Sequence, residues 1–134
     1  TTEIYTLSLH DALPISGDAI GSGYGVWMQT PTAVPLETYY ESLVHLLKWL
    51  VDRGGRMTFH GGHRYQMFQS THVPAFNPPS LGLLCDLIDL VDQIVHGKIV
   101  GRISNVDNIM ELEPVLYAAY GRAEIQYKAS NIRI

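Results

Sequence analysis

The chain of 134 residues contains one cysteine, Cys85. An internal disulfide is therefore excluded, and Cys85, set within an apolar helical pattern, is expected to be part of a packed core. Charge is also sparse: 16% of residues are charged, and nine Lys and Arg against 13 Asp and Glu leave a formal net charge of −4. No basic stripe gathers the cations, which argues against a nucleic-acid partner, because phosphate backbones are held by clustered Lys and Arg. No apolar run approaches the ~18 residues of a membrane span, so no membrane partner is expected. What the chain does have is a hydrophobic fraction of 46%, the composition of a folding chain rather than a disordered one.

Residues 1–15, TTEIYTLSLHDALPI, stand apart from the rest. They resemble the translation of one frame of a short-read sequencing adapter, in which CTT TCC CTA CAC GAC GCT CTT CCG ATC encodes residues 7–15 and Ser16 straddles the junction. Residues 1–16 are accordingly expected to be an artefactual leader, and His10 and Asp11 are set aside as site candidates. A genuine edge strand over residues 4–9, suggested by their weak apolar and polar alternation, is the other reading of this stretch. With the natural chain expected to start near Gly17, the compartment stays open.

Short strands and helices then alternate. Residues 24–29, YGVWMQ, are rich in β-formers and bounded by glycines and Pro31, as a short strand would be. Leu36, Tyr40, Leu43, Leu47 and Leu50, with Leu46 and Val51 alongside, keep helical spacing; Pro35 leads in and Gly54-Gly55 closes, which predicts an amphipathic helix over residues 36–53. Glu37, Glu41, His45, Lys48 and Asp52 fall on its other face, making His45 plain surface. Residues 56–59 read as a strand that delivers the chain to His60-Gly61-Gly62-His63. A loop dense in aromatics and prolines follows over residues 64–80 and ends in Ser80, a candidate N-cap.

Leu81, Leu84, Leu87, Ile88, Val91, Ile94 and Val95 mark a second amphipathic helix that stops at Gly97. Asp86, Asp89, Asp92 and Gln93 fall mostly on its wet side, a charged face and not a metal site. Residues 98–103 fit a strand, residues 105–120 are ambiguous, and residues 123–128 alternate as a strand should.

Two segments carry the chemistry: Gly17-Asp18-Ala19-Ile20-Gly21-Ser22-Gly23 and His60-Gly61-Gly62-His63. Glycines on either side of an aspartate permit turns that bring its carboxylate close to a bound ion, and a histidine on a glycine-rich loop has the same freedom. Asp oxygen and His nitrogen are both ordinary ligands for zinc and similar ions. The residues by themselves leave a second use open, in which Asp18 forms a turn and the histidines are structural.

In order and spacing, the Gly17 to Gly23 segment, a helix, a short strand and then Gly62-His63 resemble the second half of the metallo-β-lactamase superfamily. The resemblance implies an α/β fold, the C-terminal half of an αββα sandwich of two sheets packed face to face with helices outside. Residues 17–134 would form this C-terminal portion, and the partner they lack is the N-terminal half of the same domain. It further implies that Asp18 is a metal-bridging ligand and His63 the terminal ligand, with His60 as the alternative to His63. The implied cofactor is zinc, about one or two ions, with iron or manganese as other metals that suit the donors. The implied function is metal-dependent hydrolysis, a metal-bound hydroxide attacking the ester, thioester, lactone or lactam carbonyl of a small-molecule substrate.

The family's H-x-H-x-D-H motif and its third-segment histidine are absent from the chain. Their place is upstream of the leader junction, so the fragment alone is expected to be inactive. Tyr65, Phe68, His72 and Phe76, just beyond His63, are candidates either to line the substrate mouth or to pack their loop onto the body. Tyr24 and Trp27 have the same two uses, with core the favoured one. Without its first half, residues 16–134 are expected to expose a large apolar face. A dinucleotide-binding turn is a poor rival, because Gly21, Gly23 and Gly25 are spaced G-x-G-x-G and lack the G-x-G-x-x-G pattern. The remaining alternative is a non-enzymatic α/β binding or interaction module in which Asp18 and the histidines are structural.

Overall fold

The computed structural model describes residues 19–21, 25–53, 59, 80–104 and 113–133. Helix α1, Leu36–Asp52, begins directly after Pro35, whose carbonyl accepts the Tyr39 N–H at 3.0 Å. Glu37 in its first turn complements the positive end of the helix dipole. The buried stripe is Leu36, Tyr39, Ser42, Leu43, Leu46 and Leu50. This corrects the phase expected from the sequence, since Tyr40 and Leu47 are only half-buried and flank the stripe. Both choices satisfy the alternating three- and four-residue steps of a helix face, and tertiary packing decides between them. Ser42 satisfies its buried hydroxyl on the Thr38 carbonyl at 3.1 Å. At the far end the Arg53 guanidinium lies 3.8 Å from the centre of the Trp49 ring and donates to the Trp49 carbonyl at 3.3 Å.

Helix α2, Leu81–Val95, is capped as its sequence predicts: the Ser80 hydroxyl accepts the Leu83 N–H at 3.0 Å. Leu83, Leu84, Leu87, Ile88, Leu90, Val91 and Ile94 are buried, a wider stripe than an amphipathic surface helix needs. The width follows from position, because α2 packs against α1 on one side and against the sheet on the other. Leu84, Leu90 and Val91 have no exposed surface; truncating either leucine to alanine would cost about 2–5 kcal/mol. Cys85 is half-buried at the margin of this stripe and outside the core proper.

Among the described residues four strands form one mixed sheet: β1 Val26–Trp27, β2 Arg102–Ile103, β3 Leu116–Tyr120 and β4 Ala123–Tyr127, in the order β1-β4-β3-β2. The stretch left ambiguous in the sequence, residues 105–120, thus holds β3 at its C-terminal end. β3 and β4 are an antiparallel hairpin joined by Gly121-Arg122, and Gly121 takes the positive φ of 57° that so short a turn requires. β2 pairs antiparallel with β3, and β1 runs parallel to β4 with Val26 opposite Ile125. Ala123, Ile125 and Tyr127 alternate onto the buried face of β4, which α2 covers. The Tyr127 hydroxyl, deep in this core, accepts the Gly101 N–H at 2.8 Å.

The C-terminal segment is tied down by carboxylates. A 3-10 turn, Ala129–Asn131, follows β4, and Glu113 accepts both the N–H and the hydroxyl of Ser130, at 2.8 and 2.6 Å. Beyond it the Arg133 N–H donates to Glu37 of α1 at 2.7 Å. The described residues therefore form an α/β arrangement of two helices and a mixed sheet around one continuous core. No described helix is long and apolar enough to cross a membrane.

Candidate functional site

Asp18, His60 and His63 lie outside the described residues, as do Tyr24, Tyr65, Phe68, His72 and Phe76. What the structure does describe is the chain on either side of the candidate ligands. Immediately after Asp18, the Ala19 carbonyl accepts a hydrogen bond from the Tyr39 hydroxyl of α1. Ile20 then inserts into the core with 6% of its surface exposed. Gly21 follows at φ 115°, and its backbone lies against that of Gly25. Phe59, the residue before His60, is half-buried on the same core. Both candidate segments are thus joined to a common apolar body through their immediate neighbours.

Gly25 cannot readily be another residue. Its φ is 87°, and a Cβ there would stand 2.7 Å from the Glu124 carbonyl oxygen of β4. Glycine permits both the conformation and the close approach. From Gly25 the chain enters β1, and the Met28 N–H continues the pairing by donating to the Gln126 carbonyl at 2.8 Å.

The sheet face opposite the helices has its own pattern. Registered pairing aligns Trp27, Gln126, Tyr117 and Arg102 in one row across all four strands. The Arg102 guanidinium carbon lies 4.9 Å from the centre of the Tyr117 ring, and the Tyr117 hydroxyl donates to Glu124 at 2.8 Å. Gln29 donates its side-chain amide to Gln126 at 3.1 Å. Burial, reinforced by the Glu124 carboxylate that accepts its hydrogen, pushes the Tyr117 phenol up to about 12, against a smaller opposing effect of Arg102. Trp27 is 55% exposed, which corrects the expectation that it belongs to the core. Its place in a strand alternating between faces is the reason: Val26 and Met28 turn inward, so Trp27 turns out. The described part of this face is aromatic, amide and charged rather than apolar.

Among the described residues there is no group of three or more His, Cys, Asp and Glu side chains able to hold a metal ion. Asp89 is exposed, Asp86 and Asp92 are half-buried, and His45 is exposed on α1. Asp86 is nonetheless more than a wet-side charge, since its carboxylate accepts the Arg122 N–H at 2.8 Å. Two features went unmarked in the sequence. The Tyr39 hydroxyl is hidden because periodicity counts tyrosine as apolar, although its three-residue step from Leu36 fits the helix face. The row from Trp27 to Arg102 depends on strand pairing, which no local pattern encodes. Comparison with family models, with curated proteins and with solved structures found no match to this chain.

Proposed function

We propose that residues 17–134 are the C-terminal half of an αββα metal-dependent hydrolase of the metallo-β-lactamase kind, with Asp18 and His63 as metal ligands and His60 as the alternative to His63. The observation that carries this reading is the pair of glycines after Asp18: Gly21 and Gly25 both take positive φ, and Gly25 is seated on the backbone of β4. A segment this constrained suits a ligand-bearing loop better than a loose connection does. The α/β character of the described elements supports it as well.

The donor chemistry fits zinc: a carboxylate is charged and an imidazole neutral near pH 7, the forms that bind the ion. Zinc, when bound, supplies a Lewis acid that activates water and polarises a carbonyl. On this reading the chain's own part is to supply Asp18 and His63, while the aromatic residues Tyr65, Phe68, His72 and Phe76 are the candidates to bind the organic part of a small-molecule substrate. Two ligands, Asp18 and His63, fall short of the three protein ligands of a catalytic zinc site, and the rest would come from the first half. The fragment alone is inactive on this reading.

Sequencing the source DNA across the codons that precede Gly17 tests the relationship. An in-frame H-x-H-x-D-H upstream supports it, and its absence defeats it. In the restored protein, metal content per chain should fall in Asp18→Ala and His63→Ala and stay unchanged in His45→Ala; equal content in all three removes the ligand assignment.

A second reading has an observation of its own. The row of Trp27, Gln126, Tyr117 and Arg102, exposed at its Trp27 and Arg102 ends, favours an α/β interaction module that uses this sheet face. Such a module purifies without stoichiometric metal and keeps its binding after chelation, which separates it from the hydrolase.

A further inference from the structure

We propose that the outer flank of α1 is a self-association surface, on which a second copy of this chain docks its own α1 antiparallel, with Glu41 of each copy beside Lys48 of the partner subunit.

Besides its core stripe, α1 carries a second apolar row, Tyr40, Val44, Leu47 and Val51, in steps of four, three and four residues. Such steps keep the period with which one helix lies along another. The row covers about three turns, or about 16 Å of helix axis. Tyr40 and Leu47 are half-buried and packed against the core, so the row has a fixed base. Val44 and Val51 stand out from it, 39% and 58% exposed. Scattered exposed apolar residues are ordinary, whereas a row of them along one line of a helix suits a second helix.

The charged margin of the row decides what that second helix is. On the side away from the core stripe it is bordered by Glu41 and Lys48, both exposed and one seven-residue repeat apart. Glu37, on the same margin, is taken up by the Arg133 N–H. A two-fold axis through the middle of the row sets Tyr40 against Val51 of the partner subunit, and Val44 against Leu47 of the partner subunit. It also brings each Glu41 within a helical turn of Lys48 of the partner subunit, so two opposite-charge contacts form together. A parallel pair instead puts the two Glu41 side chains at one level and the two Lys48 side chains at another, where like charges meet. The row is therefore complementary to itself in one direction, as an isologous contact requires.

An αββα domain keeps its helices outside its two sheets, so neither completion of the domain nor metal binding bears on this flank. A single helix pair of this length buries less than a permanent dimer interface does, and the dimer therefore forms and dissociates with concentration.

Sedimentation equilibrium of the full 134-residue chain over a wide range of concentration measures the association. Its variants are Val51→Lys, Glu41→Lys, Lys48→Glu and the double variant Glu41→Lys/Lys48→Glu, all at exposed positions. Val51→Lys puts a cation in the last turn of α1, where the helix dipole favours it, and so breaks the row without weakening the helix. The unaltered chain is expected to dimerise, and Val51→Lys to abolish the dimer. Each single charge reversal should weaken it about tenfold, because two attractions become two repulsions. The double variant should recover the original affinity, and so should an equal mixture of the two single variants.

A chain that stays monomeric at every concentration overturns the proposal. Association that is indifferent to Val51→Lys belongs to another surface and overturns it as well. Single reversals without effect, or a double variant no better than either single one, remove the antiparallel pairing on which it stands. Should Val51→Lys lose its helical circular dichroism, the three charge variants decide the matter by themselves.

Discussion

The carboxylate of Asp86 on α2 accepts the backbone N–H of Arg122 at 2.8 Å, and so fastens the second helix to the turn of the β3–β4 hairpin. The same carboxylate occupies the space that a Cβ on Gly121 would enter. Helix and turn are therefore matched through one side chain and one missing side chain.

Replacing Asp86 with alanine should destabilise the chain by about 1 kcal/mol, the value of one hydrogen bond to a charged group at an exposed position. Gly121→Ala should cost about 1–2 kcal/mol from its left-handed backbone alone, and more where the Asp86 carboxylate is present. Urea denaturation of the two single variants and the double variant measures the coupling. The cost of Gly121→Ala should be smaller in the Asp86→Ala background, and equal costs in both backgrounds would remove the proposed match.

Gly25→Ala should be far more damaging. Left-handed strain of about 1–2 kcal/mol combines with a main-chain overlap of about 1–3 kcal/mol, and the overlap falls where β1 meets β4. Thermal unfolding should show a large drop in midpoint. A variant as stable as the original would mean that β1 does not sit against Glu124.

The two helices and β4 were legible in the sequence, since apolar spacing, the Ser80 cap and the alternation of residues 123–128 are local signals. β3 was not, because Leu116-Tyr117-Ala118-Ala119-Tyr120 has no polar residue to mark which side faces water. The phase of α1 was undecidable for a related reason: Tyr39 and Tyr40, like Leu46 and Leu47, are adjacent apolar residues, and only the packed neighbours choose between them. The exposure of Trp27 could not be read from its size or hydrophobicity, because it follows from the strand direction and from pairing with a distant segment. For the candidate site, the identities of Asp18, His60 and His63 came from resemblance and glycine context. The Tyr39 contact escaped because its acceptor is a backbone carbonyl, and a backbone group leaves no mark in a sequence.

Glu113 should make stability depend on acid. Its carboxyl is held below the ordinary value of 4.5, chiefly by the Ser130 hydroxyl and then by the Ser130 N–H. A depressed folded-state pKa contributes stability that is fully present above the unfolded value and is lost as pH falls through the folded one. The difference in melting temperature between the original chain and Glu113→Gln should therefore be constant above about pH 5 and shrink at lower pH. A difference that does not change from neutral pH into strong acid would contradict the Ser130 contacts.

Tyr117 supplies the opposite dependence. With its phenol raised from 10.0 to about 12, it contributes stability present below pH 10 and lost as pH rises through about 12. Ultraviolet titration should show a late-ionising tyrosine that disappears in Tyr117→Phe. Glu124→Gln should bring that ionisation down, since the carboxylate both accepts the phenolic hydrogen and repels the phenolate. No change on removing the charge would leave burial as the whole cause.

Parallel pairing of β1 with β4 gives the chain a particular order of events during synthesis. Gln29 and Gln126, which bond side by side, are 97 positions apart. A nascent chain can wind α1 and α2 and bring them together as soon as both have left the ribosome, because their contacts need nothing later in the sequence. β1 has to wait, with Val26 and Met28 unburied, until Ala123–Tyr127 emerges. Joining segments so far apart carries a loop-closure cost that local contacts avoid, and such joins are the slow ones. The helical pair is therefore the scaffold on which the sheet is completed.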